Sequence, residues 1–469
     1  MLNYDCVIIG NGSIGLACAY ELSNNAEKKF KIALFGKKNR EGSASLAAGA
    51  MINVFGELEY DTLSSGEGKS KFQMLLKSRV LWKEHIDKLN NETSTKLKFY
   101  KGTYVLNNSS ADDLDDKNFN SIEKGLKYFK EPYSFVNGKD IKGYYPEPKS
   151  RSLNSLYIPN EGFISSAKNL LDAYDKIFDQ KKNIDIKNSD IKKIIIKKDL
   201  KILIDDKGNK YSCKNLVIAA GSYSNFLIKQ IKQIKNKIPD IFFGIGNAII
   251  AESDKQILPD KVVRTPNRGM ACGLHVVPLN KKNIYIGASN RVMDRPNKNA
   301  LISTTSNLMN SLLKEVNQNY GNLKIKKICT GYRPTTSDTF PIIGETSVKG
   351  LYIISGTKRD GLSLSLLLSK YITNSILKLK NGYKFPKVFK PERKLISTMT
   401  IKEGIEKSVK HRISAAFQHE LSIPKTESLE DYKNMIYSEV LKIYKNEKLK
   451  KGVSPEILNL YKYKKILNK

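Results

Sequence analysis

Cysteine is scarce and unpatterned: Cys6, Cys18, Cys213, Cys272 and Cys329 are scattered over 469 residues, odd in number and without a Cys-x-x-Cys pair. That argues against a disulfide framework and a thiolate zinc site, and it fits a reducing compartment, the cytoplasm. Long apolar runs are missing too, since no segment reaches the ~20 apolar residues that cross a bilayer. The amino terminus MLNYD has no basic region, and the apolar run after it is broken by glycines, so no leader peptide is expected. Acidic residues are in deficit: 47 Asp and Glu face 80 Lys and Arg, a formal net charge of +33. Nucleic acid, an acidic substrate or a membrane surface could each explain such an excess. The lysines, however, are spread through segments such as NNAEKKFK, IKKIIIKKDLK and KQIKQIKNK, whereas a binding surface is local, so the bias is read as compositional. No Ser-His-Asp set or glutamate pair is convincingly placed for nucleophilic or acid–base work.

What is present begins at the amino end. With 40% hydrophobic residues the chain can bury the core of two domains or of one large composite. From residue 4 it reads YDCVIIGNGSIGLACAYELSNN. The apolar run Cys6 to Ile9 suits a strand buried on both faces of a parallel sheet, and the residues after Gly15 predict a helix. Gly10-x-Gly12-x-x-Gly15, enclosing Ser13 and Ile14, therefore sits at a strand-to-helix junction. Glycines there permit a tight turn, so that first-turn amides and the helix dipole can hold a pyrophosphate. At that place the spacing is a strong dinucleotide signal. The next strand, FKIALFG, should end on an acidic residue that grips a ribose, but Gly36, Lys37 and Lys38 stand there. Either the ribose contact comes from elsewhere, or the lysines meet a 2′-phosphate, which would favour NADP. Residues 42–57, GSASLAAGAMINVFGE, include Ser45, Gly49, Ala50 and Met51 and suit a backbone running close along a cofactor. Further on, IKKIIIKKDLKILIDDKGNKYSCKNLVIAAG predicts a hairpin that turns at DDKGN and leads into a parallel strand.

These glycines, SLAAGAM, IPNEGFISSAKNLLDAY (158–174), NLVIAAGSYSN (215–225), GLHVVPLNKKNIYIGAS (273–289) and GYRPTTSDTFPIIGE with GLYIISGTKRDG (331–361) follow one another in a recognisable order. It is the order of the D-amino-acid oxidase superfamily, and the sequence resembles the branch holding glycine oxidase and sarcosine oxidase over residues 1 to about 385. The resemblance implies an α/β fold: a discontinuous, Rossmann-like FAD-binding domain with an inserted α+β substrate domain on a mainly antiparallel sheet. The expected boundaries are 1–60, 152–226 and 328–387 for the FAD-binding domain, and 61–151 and 227–327 for the substrate domain. A helical extension, 388–469, has no counterpart in the family pattern. By match to the family, Ile191 would offer its backbone to the adenine and Gly221 would lie by the pyrophosphate. The histidine that attaches flavin covalently in some relatives is Leu46 here, and the attaching cysteine of others falls at Gly331, two residues from Cys329. Non-covalent FAD is therefore expected.

The resemblance also assigns the substrate end. Arg333, in Gly-Tyr-Arg-Pro, matches the arginine that holds the substrate carboxylate of glycine oxidase, and a guanidinium suits a carboxylate because its planar fork can bind both oxygens. A salt bridge to Asp338 in the same turn is the structural alternative. Arg359, in GTKRDG, matches a second active-site arginine or is a loop charge. After it, LSLSLLLSKYITNSILKL predicts a helix whose amino end at Gly361 and Leu362 would direct its dipole at the flavin. His275 stands where relatives carry a substrate-binding tyrosine; it is either structural or a titrating donor in the pocket.

The extension predicts three helices, divided at Pro424 and near Gly452, with Ser428/Asp431 and Ser454/Pro455 as start signals. It could pack on the body or act as a dimer clamp, a lid, or a dock for a carrier or RNA. Taken together, the resemblance implies an FAD-dependent oxidoreductase acting on the C–N bond of a small carboxylate-bearing amine: glycine, sarcosine, a D-amino acid or a related secondary amine. Oxygen or a quinone would take the electrons. The alternatives are a 2-hydroxy acid or glycerol-3-phosphate dehydrogenase, and a flavin-dependent oxidase of a tRNA wobble uridine, which a basic chain would suit.

Overall fold

The computed structural model describes residues 1–467 apart from 110, 111, 199, 271, 381, 384, 419–422 and 424–427. The break expected at Pro424 thus lies outside the described residues. Two sheets organise the body. The first carries the nucleotide-binding pattern. Its central strand, Leu2–Ile9, runs parallel to Lys210–Ile218 on one side and to Ile32–Phe35 on the other. Ile184–Lys187 and Leu351–Ser355 extend the parallel order at its two ends, and Ile342–Glu345 closes one edge antiparallel. The hairpin expected around DDKGN is present: Ile191–Lys197 pairs with Leu200–Asp205, which pairs with Lys210–Ile218. Asp205 closes the turn by accepting from the Lys207 and Asn209 amides.

Burial explains why the central strands are apolar without alternation, because helices cover them. The helix Ser13–Asn25 is buried almost all round and packs beside Gly361–Leu377 on one face of this sheet. The opposite face holds a second core of Val7, Ile9, Phe35, Leu203, Leu216 and Ile218 with the segment from Leu227 to Ile241.

The second sheet is mainly antiparallel. Lys324–Thr336 pairs with Ile241–Glu252 along the whole length of the latter. On the other edge of Ile241–Glu252 lie Arg291–Met293 and the hairpin strand Asn283–Gly287. The order continues through His275–Pro278 and Val262–Arg264 to Phe99–Asn108 and Ser152–Ile164. Residues 152–164 and 328–336, expected from sequence to belong to the FAD-binding domain, are strands of the second sheet, as is Met51–Ile52.

The extension forms three helices, Ile401–Gln418, Leu429–Asn446 and Pro455–Leu467. Ser428 and Asp431 make the expected capping box. Ser454 does not cap with its side chain, since its hydroxyl has no partner and only its carbonyl accepts from the helix. Thr400 and Glu403 form a reciprocal pair at the first helix that the sequence reading did not anticipate. A small core of Ile405, Ile436, Val440, Tyr444 and Leu458 joins the three helices, and Ile457 and Leu460 pack on Val292 of the body. Lys407–Asp61 (2.5 Å) and Lys410–Asp113 (2.8 Å) add ion pairs, so the extension packs on the body.

Arg393 anchors its root. The guanidinium grips Asp338 with Nε and Nη2 and donates to the carbonyls of Phe340, Pro341 and Phe389. The two side chains are 4% and 0% exposed, so removing one strands the other charge out of water. Arg393→Ala is therefore expected to cost ~3–5 kcal/mol of stability, read by chemical denaturation, and to leave the cofactor spectrum of the folded fraction unchanged.

Candidate active site

A continuous cavity of about 1060 Å³ runs from the end of the first sheet to the face of the second. At the nucleotide end it is lined by Gly10, Gly12, Ser13 and Ile14. The helix Ser13–Asn25 starts at Gly12 with no side-chain cap and no acidic residue in its first turn, so its positive end faces the cavity uncompensated by charge. The Ser13 amide donates to Ser45 Oγ (2.9 Å), which places the 42–57 segment against the glycine turn. Gly15 does not line the cavity. A Cβ there would overlap the Gly10 carbonyl, so this glycine serves strand-to-helix packing.

Gly36, Lys37, Ile191 and Gly221 all reach the cavity wall, as do Gly49, Ala50 and Met51. Lys37 is paired with Asp206, which matches the charge that a 2′-phosphate reading requires. No acidic side chain ends the strand Ile32–Phe35; Glu41 and Asp190 are carboxylates elsewhere in the wall. The uncapped helix end, the glycine turn and the size of the cavity fit a dinucleotide.

At the far end the second sheet presents Arg333, His275 and Tyr285, and the loop before Gly361 presents Arg359. Arg333 is not paired with Asp338, because Arg393 takes that carboxylate. Its Nη1 donates to the Ser289 carbonyl (2.8 Å) and to Asn290 Oδ1 (3.4 Å), both neutral. The guanidinium lies over Gly246 of the neighbouring strand, where a Cβ would overlap it. Among the described residues no carboxylate pairs with Arg333.

Among the described residues, four other cations at this end are matched by carboxylates. Arg264, wholly buried, pairs with Glu57 (2.6 Å). Arg359 pairs with Glu59 (3.0 Å) and Glu57 (3.5 Å). Lys407 faces Asp61 and Glu59, and Lys358 faces Glu456. Burial pushes the Glu57 carboxyl up, but the guanidinium groups of Arg264 and Arg359 outweigh it and hold the pKa down at about 2. Four carboxylates thus answer four cations, and Arg333 is the cation left over. Arg359 reaches the cavity, but its charge is already answered.

His275 faces the cavity from the strand His275–Pro278, stacked on Tyr285 with ring centroids 5.8 Å apart. Burial, then the positive charge of Arg264, lowers its pKa to about 3. Its Nδ1 lies 3.1 Å from the Gly273 carbonyl, so Nδ1 carries the proton and Nε2 is an acceptor. The titrating donor considered from sequence is therefore corrected to a neutral acceptor. Tyr285 was missed, although register could have found it: Val277 pairs with Tyr285 and His275 with Gly287, so period-two alternation puts 275 and 285 on one face. Glu57, Glu59 and Arg264 were missed because their partners lie far away in sequence. The helix Gly361–Leu377 begins at the cavity, with Gly361 and Leu362 in its wall and Asp360, at its cap, drawn to Lys71.

Residues 5–375 match the family described as FAD dependent oxidoreductase. The chain belongs to that family. It is 21% identical over 399 residues to glycine oxidase of Geobacillus kaustophilus (strain HTA426), covering 81% of this chain and 94% of that enzyme. It is 23% identical over 398 residues to glycerol 3-phosphate dehydrogenase of Caloramator mitchellensis, covering 84% and 78%. Among solved structures, glycine oxidase from Geobacillus kaustophilus superposes with a TM-score of 0.71 at 18% identity, over 84% of this chain and all of that one. The fold is shared.

As a member of the FAD-dependent oxidoreductase family, the protein would hold its cofactor along the cavity just described. Leu46, at the position of the attaching histidine, packs against the hydrophobic core, and Gly331 brings no side chain to the wall. Cys329 is buried in a cluster with Ala248 and Tyr285.

Three rings of this oxidoreductase are buried in neutral form. Burial, reinforced by nearby Lys370, Arg264 and Lys407, lowers His85 and His275 to about 3 and His411 to about 4. The unfolded chain protonates them near their ordinary value of 6.5, so between that pH and the lowered values it binds more protons than the folded one. Stability is therefore lost as pH falls through this window. Melting temperatures should drop from about pH 7 to about pH 4.5, and a flat profile would contradict burial of the neutral rings.

Proposed function

We propose that the protein oxidises the C–N bond of a small amine bearing one carboxylate, a glycine-, sarcosine- or D-amino-acid-like substrate, and that Arg333 holds the carboxylate. The observation that carries this is the surplus cation: among the described residues Arg333 has only neutral partners, while Arg264, Arg359, Lys407 and Lys358 beside it are matched. A partly buried guanidinium in that state is completed by a single planar anion, and a carboxylate fits its fork.

FAD, when bound, supplies the two-electron acceptor. The chain's own residues bind and orient. Arg333 fixes the acid end of the substrate. His275, neutral and with Nε2 free to accept, receives an N–H of the amine and favours its uncharged form over a second cation beside Arg264. Tyr285, whose hydroxyl donates to the Ala47 carbonyl (3.0 Å), stiffens the ring that His275 stacks on. No general base is required of the protein when orientation brings the substrate C–H to the acceptor. Oxygen or a quinone would then reoxidise the enzyme.

The likeness to a glycerol 3-phosphate dehydrogenase motivates the rival reading. One unmatched cation suits a monoanion better than a phosphate dianion, and product analysis separates the two: an amine or ammonia against a phosphate-bearing ketone.

Arg333→Ala should keep its yellow colour and fold while losing on the order of 2–5 kcal/mol in transition-state binding, read as slower anaerobic flavin reduction at subsaturating substrate. Arg333→Lys should recover only part of the rate, because a point charge lacks the planar fork. Loss of flavin and stability in Arg333→Ala, or an unchanged reduction rate, would show a structural role. Gly246→Ala tests the same geometry from the other side: its methyl displaces the guanidinium, so substrate binding should weaken while the flavin stays bound.

A further inference from the structure

Beside Arg333 lies a second, smaller space, an annex of about 120 Å³. Cys272, Arg333, Lys358 and Arg359 line both spaces, so the annex adjoins the substrate end of the main cavity. Its far wall is built by the extension: Lys407 and His411 come from the helix Ile401–Gln418, and Ser454, Pro455 and Glu456 from the start of Pro455–Leu467. The family match ends at residue 375, so this wall lies outside it.

Two polar atoms of that wall are buried without a partner, His411 Nε2 and Ser454 Oγ. His411 as a whole is 7% exposed. Its Nδ1 accepts the Met270 amide (3.2 Å), so in the neutral ring the proton sits on Nε2. A buried N–H with nothing to donate to forfeits a hydrogen bond. The neighbouring charges do not explain it, because Lys407 is answered by Asp61 and Glu59, Lys358 by Glu456, and Arg268 by Asp115 and Glu315. Glu456 is fixed further by the Asn290 amide (3.1 Å), and Asn290 also receives Arg333 Nη1. The extension is thereby tied to the carboxylate site through one side chain.

We infer that the extension is a working wall of the substrate chamber. It selects amines that carry, at the end remote from the carboxylate, an uncharged hydrogen-bond acceptor such as a hydroxyl or carbonyl oxygen, received by His411 Nε2 and Ser454 Oγ. A second carboxylate is not the fit, since Arg333 takes the first and the other annex cations Arg268, Lys358, Arg359 and Lys407 are already matched. The inference rests on Arg333 holding the carboxylate, which sets the direction of the substrate.

The test uses the holoenzyme and a homologous series of unreactive acids: acetate, the straight alkyl acids, and the ω-hydroxy acids of equal length. Binding is read from the flavin absorbance change and from the thermal shift. One chain length should bind roughly five- to tenfold more tightly as the hydroxy acid than as the alkyl acid, the worth of one neutral hydrogen bond. His411→Phe, which keeps the ring and removes the N–H, should abolish that preference while acetate affinity stays within about twofold. If His411→Phe does not fold, His411→Leu and Ser454→Ala supply the comparison, with a reduced preference expected in each. The inference is overturned if no chain length shows the preference, or if the variants keep it. Acetate binding that survives Arg333→Ala unchanged would sink the carboxylate assignment instead, which separates the two failures.

Discussion

A charge removed from water must be answered, and around the far end of the cavity this requirement organises nearly everything. Glu57 and Glu59 follow the loop that lies along the cofactor site, and each is reached by a cation from a distant part of the chain. Arg264 comes from the second sheet, Arg359 from the loop preceding the second nucleotide-side helix, and Lys407 from the extension. Three structural units therefore meet on two carboxylates. The same accounting singles out Arg333, which a simple catalogue of arginines would not distinguish from Arg359. Position along the cavity is shared by both; only the absence of an answering carboxylate separates them.

Two absent side chains make that arrangement sterically feasible. Gly246 opens the strand surface on which the Arg333 guanidinium lies, and Gly287 leaves room for the stacked rings of His275 and Tyr285. Both belong to the second sheet; Gly246 lies outside the motifs read from sequence and Gly287 within the stretch 273–289. The binding face is thus shaped as much by removed Cβ atoms as by the groups that line it, and it is rigid because both glycines sit in paired strands.

The local features were legible in the sequence. Gly10, Gly12 and Gly15, the hairpin at DDKGN, the helix after Gly361 and the capping box at Ser428 each depend on residues within a few positions of one another, where turn and cap chemistry is decided. What was not legible is of two kinds. The sheet to which Ser152–Ile164 and Lys324–Thr336 belong was hidden, because it is set by pairing with Phe99–Asn108 and Ile241–Glu252, far away in sequence. Charge partners were hidden as well: Asp338 was within five residues of Arg333 and was weighed as its partner, yet Arg393, much further along, holds it. The protonation of His275 depends on Arg264 and on burial, and neither is written in the strand that carries it.

The order of strands in the first sheet also constrains how the molecule can be made. Its central strand, Leu2–Ile9, is made long before one of its two neighbours, Lys210–Ile218, and longer still before the strand beyond that, Leu351–Ser355. The glycine turn therefore cannot be locked in place until most of the chain has been synthesised. During that interval the strand and the helix Ser13–Asn25, most of whose residues end up buried, have no complete sheet to cover them, and contacts of such long sequence separation form slowly. Apolar surface is exposed over that interval, and the extension, made after all the strands of this sheet, can close the chamber only over a sheet that is already complete.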